Sequence, residues 1–179
     1  MVLRHAPEAI GVSLDRAGWV AVEELLARLN RRTPATPKRL RTLGEVSVEL
    51  LMQAVREDAK SRYELSPDFK RIRAAQGHSI PVELGYPAVT PPELLYHGTH
   101  ADALTAIRVE GLLPGARHAV HLSGTSVTAR AVGARRGRPI ILTVLAAQMA
   151  QDGFKFSQAS NGVWLTAKVP AKYLRENLR

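Results

Sequence analysis

The stretch GYPAVTPP, residues 85–92, divides the chain into two halves of different character. It contains three prolines within six residues, and proline disfavours helix at its own position and at the residue before it. We therefore expect an extended linker here. The predicted boundary gives two lobes, residues 1–86 and residues 87–179, in a chain long enough to bury a hydrophobic core.

The half before the linker combines helices with a basic hairpin. Apolar residues recur at helical spacing in residues 22–29 and again in residues 47–60. Thr36-Pro37 indicates the start of a short helix between them, because proline suits a first helical turn. Residues 63–73 are typical of strand, turn and strand. Helices followed by a basic hairpin favour a winged helix, a common nucleic-acid-binding form, and the alternative is another small α+β lobe.

The half after the linker has short strands separated by helices. Helices are predicted at residues 102–110, ended by Gly111, and at residues 126–135, ended by Gly137. This mixture favours an α+β fold over a doubly wound sheet. Neither GxGxxG nor GxxxxGK[ST] occurs, so the usual dinucleotide and P-loop fingerprints are absent. Apolar, β-branched segments predict strands at residues 94–97, 120–122, 139–145 and 163–166.

Composition narrows the classes of protein that this chain can belong to. The formal net charge is +9 with 25 Lys and Arg residues, which favours a polyanionic partner, and the alternative is an ordinary solvated basic surface. The chain has no cysteine, which excludes disulfides and thiolate zinc sites and suits the cytoplasm. No apolar run approaches the roughly 20 residues of a membrane span. The histidines lack HExxH spacing, so we expect no metal site.

Two segments of the first half carry groups suited to phosphate. Arg4-His5 offers a guanidinium fork that matches two phosphate oxygens, and an imidazole that can donate or move a proton. The alternative is a polar helix end closed by Pro7. Residues 73–79, RAAQGHS, bring an Arg, an amide, a Gly, an imidazole and a hydroxyl together. That density of donors suits an anion or a ribose, and the alternative is a polar loop that caps the hairpin.

Two further segments lie in the second half. His97 and Thr99 end a predicted strand and are suited to hydrogen-bond a ribose, and Gly98 between them allows close approach to the backbone. If residues 117–123 form a strand, Arg117 and His121 face the same side and enter one cleft. The alternative for His121 is a satisfied histidine of the core.

Taken together, these segments resemble the RNA 2′-phosphotransferase family, also called the tRNA 2′-phosphotransferases. The matching stretches follow the family's order across nearly the whole chain, and seven such strings in order are highly specific. They are Leu3-Arg4-His5 with Pro7-Glu8, VSLDRAGWV (residues 12–20), IRAAQGHS (72–79), LYHGT (95–99), RHAVHLS (117–123), VGARRG (132–137) and NGVWLT (161–166).

The resemblance implies a fold and a set of NAD⁺-binding residues. It implies an N-terminal winged-helix lobe that binds RNA and a C-terminal lobe of the ADP-ribosyltransferase type that binds NAD⁺. In that lobe the family has two histidines and an apolar residue at key positions, which correspond to His97, His121 and Val163. The absence of a glutamate there is consistent with a phosphate nucleophile, which is already anionic and needs no general base. The implied NAD⁺-binding residues are His97, Gly98, Thr99, His121, Leu122, Ser123 and Val163.

The resemblance also carries the family's Arg-His-Arg-Arg catalytic set over to Arg4, His5, Arg62 and Arg117. Arg62 is anchored only by the sequence Arg-aromatic-Glu-Leu before the hairpin, so Arg73 is a competing assignment. The phosphate-binding and RNA-binding residues implied are Arg73, Gln76, His78 and Ser79.

The implied activity is the NAD⁺-dependent removal of an internal 2′-phosphate from RNA. The 2′-phosphate attacks the nicotinamide ribose, nicotinamide leaves, and the 2′-phospho-ADP-ribosyl-RNA resolves to 2′-OH RNA and ADP-ribose 1″,2″-cyclic phosphate. We expect a monomeric cytoplasmic enzyme that consumes NAD⁺, acts on tRNA-like RNA, uses no metal and does not bind membranes. The alternatives are an ADP-ribosyltransferase acting on terminal phosphates of nucleic acids, and a non-catalytic winged-helix binder.

Overall fold

The computed structural model describes residues 2–31, 36, 38–42, 44–134 and 138–176. The chain forms two compact units, Met1–Gly85 and Tyr86–Arg179. Each unit combines helices with small antiparallel sheets, so the predicted α+β class is confirmed. The predicted helix start at Pro37, the predicted helix end at Gly137 and the last three residues of VGARRG lie outside the described residues.

The helices of the first unit follow the apolar spacing of the sequence. The second helix turns Val22, Leu25 and Leu26 inward, since residues three and four apart share one face. The fourth helix starts at Ser47, whose Oγ accepts a hydrogen bond from the Leu50 amide at 3.3 Å. The described helices are α1 (Val2–His5), α2 (Val22–Asn30), α3 (Lys38–Arg41) and α4 (Val48–Arg56), with a 3₁₀ helix at Pro7–Ile10.

The predicted hairpin of the first unit is confirmed. Strand β2 (Tyr63–Leu65) pairs antiparallel with β3 (Arg71–Ala74), with Glu64 opposite Arg73. A two-residue strand, β1 (Val20–Ala21), pairs with the other edge of β3 and gives the sheet order β1-β3-β2. The sequence did not predict β1, because two residues are too short to show an alternating pattern.

The core of the first unit fixes the beginning of the chain. Val2 and Leu3 of α1 are buried among side chains that include Val20, Leu25 and Ile72. The short helix α1 is therefore held by its apolar residues, and the polar residues that follow them, Arg4 and His5, start from an anchored backbone.

The second unit is built on two three-stranded antiparallel sheets, with strand orders β4-β6-β9 and β5-β8-β7. The residues Tyr96 and Ser123 connect the two sheets by exchanging backbone hydrogen bonds of 2.9 and 2.8 Å. The elements are β4 (Leu94–Thr99), α5 (Ala101–Glu110), β5 (Val120–Leu122), α6 (Ser126–Gly133), β6 (Ile140–Leu145), α7 (Ala146–Gln151), β7 (Phe156–Gln158), β8 (Trp164–Thr166), a 3₁₀ helix at Ala171–Tyr173 and β9 (Leu174–Glu176).

The four strands predicted for the second half are confirmed as β4, β5, β6 and β8. The linker stretch is solvent-exposed at residues 87–90 but is attached to β7 through its backbone: Ala88 forms a bridge with Ser157 of β7, and the Val89 amide donates to the Phe156 carbonyl at 2.9 Å. Strands β7 and β9, of three residues each, and helix α7, of six, were not predicted. Among the described residues, no helix has the length and apolar character needed to cross a membrane.

Gly111 ends α5 at a point where a side chain has no room. Its φ is +81°, and a Cβ there would lie 2.1 Å from the Val169 carbonyl oxygen. Gly115 provides a matched comparison, because its φ is +62° and a Cβ there would meet nothing within 4 Å. Both positions disfavour alanine through φ, whereas only Gly111 adds a collision with backbone.

We therefore expect Gly111→Ala to lower the free energy of unfolding by about 1–3 kcal/mol more than Gly115→Ala, the usual cost of overpacking. Urea denaturation of both variants measures this difference. Equal losses for the two variants would contradict the close approach of Gly111 to the Val169 backbone.

Candidate functional site

Arg4 and His5 contact the segment that follows the hairpin of the first unit. The Arg4 carbonyl accepts a hydrogen bond from the Ser79 amide at 2.9 Å. His5, which follows Arg4, places its Nδ1 at 2.9 Å from Ser79 Oγ. Ser79 therefore fixes both the backbone that carries Arg4 and the rotation of the His5 ring.

Arg62 contacts the same region, although it lies 58 residues after Arg4 in the sequence. Its carbonyl accepts from the Ala75 amide at 2.9 Å and from Arg4 Nη2 at 3.5 Å. Gly77, with φ +84°, leaves space beside the Arg4 guanidinium, since a Cβ there would be 3.7 Å from Arg4 Nη1. We call Arg4, His5, Arg62 and Ser79 the Arg4 cluster. Three of the four residues predicted as catalytic are thus brought together within one unit.

Asp58 forms an ion pair with Arg62 at the entry to β2. One carboxylate oxygen accepts from the Arg62 amide at 2.6 Å, and the other contacts the Arg62 guanidinium. The Asp58 side chain is 9% exposed, whereas the Arg62 side chain is 41% exposed. The guanidinium is therefore held on one side by a buried carboxylate and remains accessible to solvent.

Arg73, the competing assignment, occupies a different environment. It is 7% exposed, and its guanidinium hydrogen-bonds the Glu64 carboxylate at 3.0 Å and the Leu84 carbonyl at 2.8 Å. It also lies over the Trp19 ring, 4.5 Å from the centroid. These contacts direct both ends of the guanidinium at groups of the first unit itself, so the Arg73 guanidinium is less accessible than that of Arg62.

Two other residues predicted to bind phosphate or RNA lie in the loop after β3. Gln76 is half-buried. His78 is completely buried, and its Nε2 lies 3.5 Å from the position that a Cβ at Gly18 would take. A fully buried imidazole is better placed to support the loop than to touch RNA.

The second unit contains an open cleft of about 570 Å³, which we call the His97 cleft. This volume lies within the roughly 300–1,000 Å³ of pockets that bind small molecules and cofactors. Five of the predicted catalytic and NAD⁺-binding residues line it: His97, Gly98, Thr99, Arg117 and His121.

A short chain of hydrogen bonds connects three of these residues. His97 Nδ1 donates to the His121 carbonyl at 3.1 Å, and Arg117 Nη1 donates to His121 Nδ1 at 3.4 Å. In a neutral ring these partners place the proton of His97 on Nδ1 and that of His121 on Nε2. His97 therefore presents Nε2 as an acceptor, and His121 has an N–H as a donor.

The sequence predicted that Arg117 and His121 enter one cleft because they alternate along a strand. Both residues do line the His97 cleft, but the strand does not include Arg117. Strand β5 begins only at Val120, so Arg117 lies in the turn before the strand and strand alternation does not apply to it. Its side chain reaches back from this turn to the His121 ring.

Burial lowers the pKa of His97 below its usual value of 6.5, and the positive charge of Arg117 lowers it further, while the hydrogen bond to the His121 carbonyl opposes both effects. His97 is therefore neutral at pH 7. Because the unfolded chain takes up this proton at a higher pH than the folded one, His97 makes stability fall as the pH drops below 6.5.

The remaining predicted NAD⁺-binding residues lie next to the cleft rather than along it. Leu122 is 1% exposed, with its side chain in the core, and Ser123 forms the backbone bridge to Tyr96. Val163 packs against a small cluster that includes Ala119, a residue of the cleft wall. Packing also accounts for a glycine at position 98, because a Cβ there would lie 2.0 Å from the Ala129 carbonyl oxygen of α6.

The described residues contain no group of three or more metal-ligating side chains. Sequence reasoning overlooked Asp58, since an aspartate between a helix and a strand is typical of an ordinary turn.

Comparison with known proteins places this chain in a family. The family model for "RNA 2'-phosphotransferase, Tpt1 / KptA family" matches residues 1–168. The chain is 51% identical to the "Probable RNA 2'-phosphotransferase" of Agrobacterium fabrum over 97% of its length and 88% of that protein. Proteins of the same name from Streptomyces coelicolor and Burkholderia pseudomallei are 48% and 46% identical over 97% of this chain and 88% and 89% of their own lengths.

These matches define a transferase that acts on RNA. The chain belongs to the RNA 2′-phosphotransferase, Tpt1/KptA family, as the resemblance in its motifs predicted.

We expect an NMR titration to give His97 a pKa below 6.5, because burial, which lowers the pKa, is the largest of the contributions to it. Replacing Arg117 with alanine should raise that pKa without bringing it to 6.5. Arg130→Ala, which removes an exposed arginine of α6, is the control and should leave it unchanged. A His97 pKa at or above 6.5 in the wild type would contradict the buried position of the ring.

Proposed function

We propose that this protein removes an internal 2′-phosphate from RNA and transfers it to NAD⁺, which it consumes as a co-substrate. The observation that carries the proposal is the Arg4 cluster, in which Arg4, His5 and Arg62 meet although 58 residues separate the two arginines. Membership of the RNA 2′-phosphotransferase family supports it. NAD⁺ is the finer part of the proposal, and it rests on the family resemblance and on the chemistry of the His97 cleft.

We assign the two lobes on the same basis. Residues 1–86 would form a winged-helix RNA-binding lobe, which is supported by the helices α2 and α4 followed by the β2–β3 hairpin. Residues 87–179 would form an ADP-ribosyltransferase-like lobe, which is supported by the two small sheets and the His97 cleft. The monomeric state and the cytoplasmic location remain predictions from the sequence.

The Arg4 cluster has the charge and the donors that a 2′-phosphate needs. Arg4 and Arg62 each carry a permanent positive charge, and a guanidinium can bind two oxygens of one phosphate. Each charge-assisted hydrogen bond contributes roughly 1.5–3 kcal/mol. His5, with Nδ1 held at Ser79 Oγ, would offer Nε2 to the same phosphate as a further donor. Gln76 and Ser79 lie close by in the loop after β3 and would complete the contacts to RNA.

The chemistry of the His97 cleft fits the ribose end of a dinucleotide. When bound, NAD⁺ supplies an electrophilic ribose carbon and nicotinamide as a leaving group. Neutral His97 offers an acceptor for a ribose hydroxyl, and the His121 ring and Thr99 add polar groups to the same cleft. Arg117 is exposed at the cleft wall, where it would offset the negative charge of phosphate groups.

The described cleft wall carries no carboxylate. A phosphate dianion is already a nucleophile, so the chain needs to orient it and to neutralise its repulsion from the dinucleotide phosphates, rather than to remove a proton. Arg4, Arg62 and Arg117 would supply that neutralisation. In the step at phosphorus, preorganised guanidinium groups would stabilise the charge that builds on the equatorial oxygens.

The direct test is incubation with NAD⁺ and a short RNA that carries one internal 2′-phosphate, with the same RNA lacking that phosphate as the control. We expect 2′-OH RNA, nicotinamide and ADP-ribose 1″,2″-cyclic phosphate, resolved by mass spectrometry. Release of nicotinamide with a stable ADP-ribosyl adduct on the RNA would instead indicate an ADP-ribosyltransferase. No nicotinamide release would reject NAD⁺-dependent transfer.

A pair of conservative variants decides between Arg62 and Arg73 as the third catalytic arginine. Lysine keeps the charge and loses the guanidinium fork, so Arg62→Lys should lower turnover by about 10- to 100-fold, the effect of one lost charge-assisted hydrogen bond. Its unfolding temperature should change little. Arg73→Lys should lower the unfolding temperature, since it breaks the contacts with Glu64 and Leu84, and should retain turnover wherever it is folded. The reverse pattern would assign the role to Arg73.

A further inference from the structure

Asp58 makes three hydrogen bonds to the turn that carries Arg62. Its carboxylate accepts from the Arg62 amide at 2.6 Å and contacts the Arg62 guanidinium, and its carbonyl accepts from the Ser61 amide at 2.7 Å. The residue between them, Ser61, has a φ of +42°, which lies in the left-handed region that costs a non-glycine residue free energy. The Asp58 contacts therefore hold a turn that would otherwise relax.

The same contacts leave Arg62 fixed on both sides. Its amide and guanidinium are held by Asp58, and its carbonyl is held by the Ala75 amide and by Arg4 Nη2. A guanidinium has five N–H donors in a planar fork. The ion pair uses the Nη1 corner, so the other donors stay directed away from Asp58.

A buried carboxylate beside a phosphate site carries an electrostatic cost. Its negative charge repels an incoming 2′-phosphate and weakens binding. A residue kept only for substrate affinity would not be an aspartate at this position. The cost is understandable if Asp58 orients the guanidinium for the reaction, because orientation affects the transition state more than the bound substrate.

We propose that Asp58 is a positioning residue, which holds the Arg62 guanidinium in the orientation that the 2′-phosphate transfer requires. This proposal rests on the proposed function. It makes a specific claim about kinetics: loss of the Asp58 charge lowers kcat, while KM for the RNA stays the same or falls.

The test is Asp58→Asn, assayed with NAD⁺ and the RNA that carries a 2′-phosphate. We expect kcat to fall about tenfold or more, the scale of one misplaced charge-assisted hydrogen bond, with no rise in KM. Asp68→Asn is the matched control, because Asp68 also accepts hydrogen bonds within a turn, from Ser66 Oγ and the Lys70 amide, but lies in the hairpin. It should behave as the wild type.

A double-mutant cycle separates positioning from a general structural effect. If Asp58 acts through Arg62, Asp58→Asn should have no further effect on kcat in an Arg62→Ala background. An unchanged kcat in the single variant, a raised KM, or an equal further loss in that background would overturn the proposal. Asp58→Ser, which retains a hydroxyl acceptor for the Arg62 amide, replaces Asp58→Asn if the latter does not fold. If neither variant folds, Asp58 is a structural residue and the proposal is wrong.

An observation that does not need activity keeps this proposal distinct from the proposed function. The Arg62 Nε–H heteronuclear NOE should report an ordered side chain in the wild type and a mobile one in Asp58→Asn. A wild type that does not turn over the RNA rejects the proposed function. A wild type with a mobile Arg62 side chain rejects the positioning role.

Discussion

Backbone hydrogen bonds hold positively charged side chains together in the first unit. The Arg4 carbonyl binds the Ser79 amide, and the Arg62 carbonyl binds both the Ala75 amide and the Arg4 guanidinium. Side chains of like charge repel, so they do not assemble by themselves. Because Ala75 and Ser79 belong to one segment after β3, the hairpin sets the spacing of the arginines and prepares a site for an anion.

In the second unit, a contact between two sheets brings the histidines together. The two hydrogen bonds between Tyr96 and Ser123 join its sheets, so His97 of one sheet lies beside His121 of the other. Burial and Arg117 then keep His97 neutral, with a lone pair available in the cleft. The first unit thus groups positively charged side chains, and the second presents neutral, oriented imidazoles and one arginine.

The sequence predicted the parts of this structure that depend on local patterns. The β2–β3 hairpin, the strands β4, β5, β6 and β8 and helix α5 followed from apolar segments and from turn residues, and the motif resemblance identified the family. The sequence could not decide between Arg62 and Arg73 as the third catalytic arginine. The two residues differ in burial and in the contacts that Arg73 makes with Trp19 and Glu64, which the sequence does not show. It also missed Asp58, whose role depends on a turn that the sequence does not specify.

The central claim is that the Arg4 cluster recognises the RNA 2′-phosphate. Equilibrium binding without NAD⁺ tests it most directly, with two RNAs that differ only in one internal 2′-phosphate. The account predicts that the phosphorylated RNA binds about tenfold or more tightly, as expected for at least one added charge-assisted hydrogen bond, and that Arg4→Gln removes most of this preference. Equal affinity for the two RNAs, or a preference that survives Arg4→Gln unchanged, would contradict it.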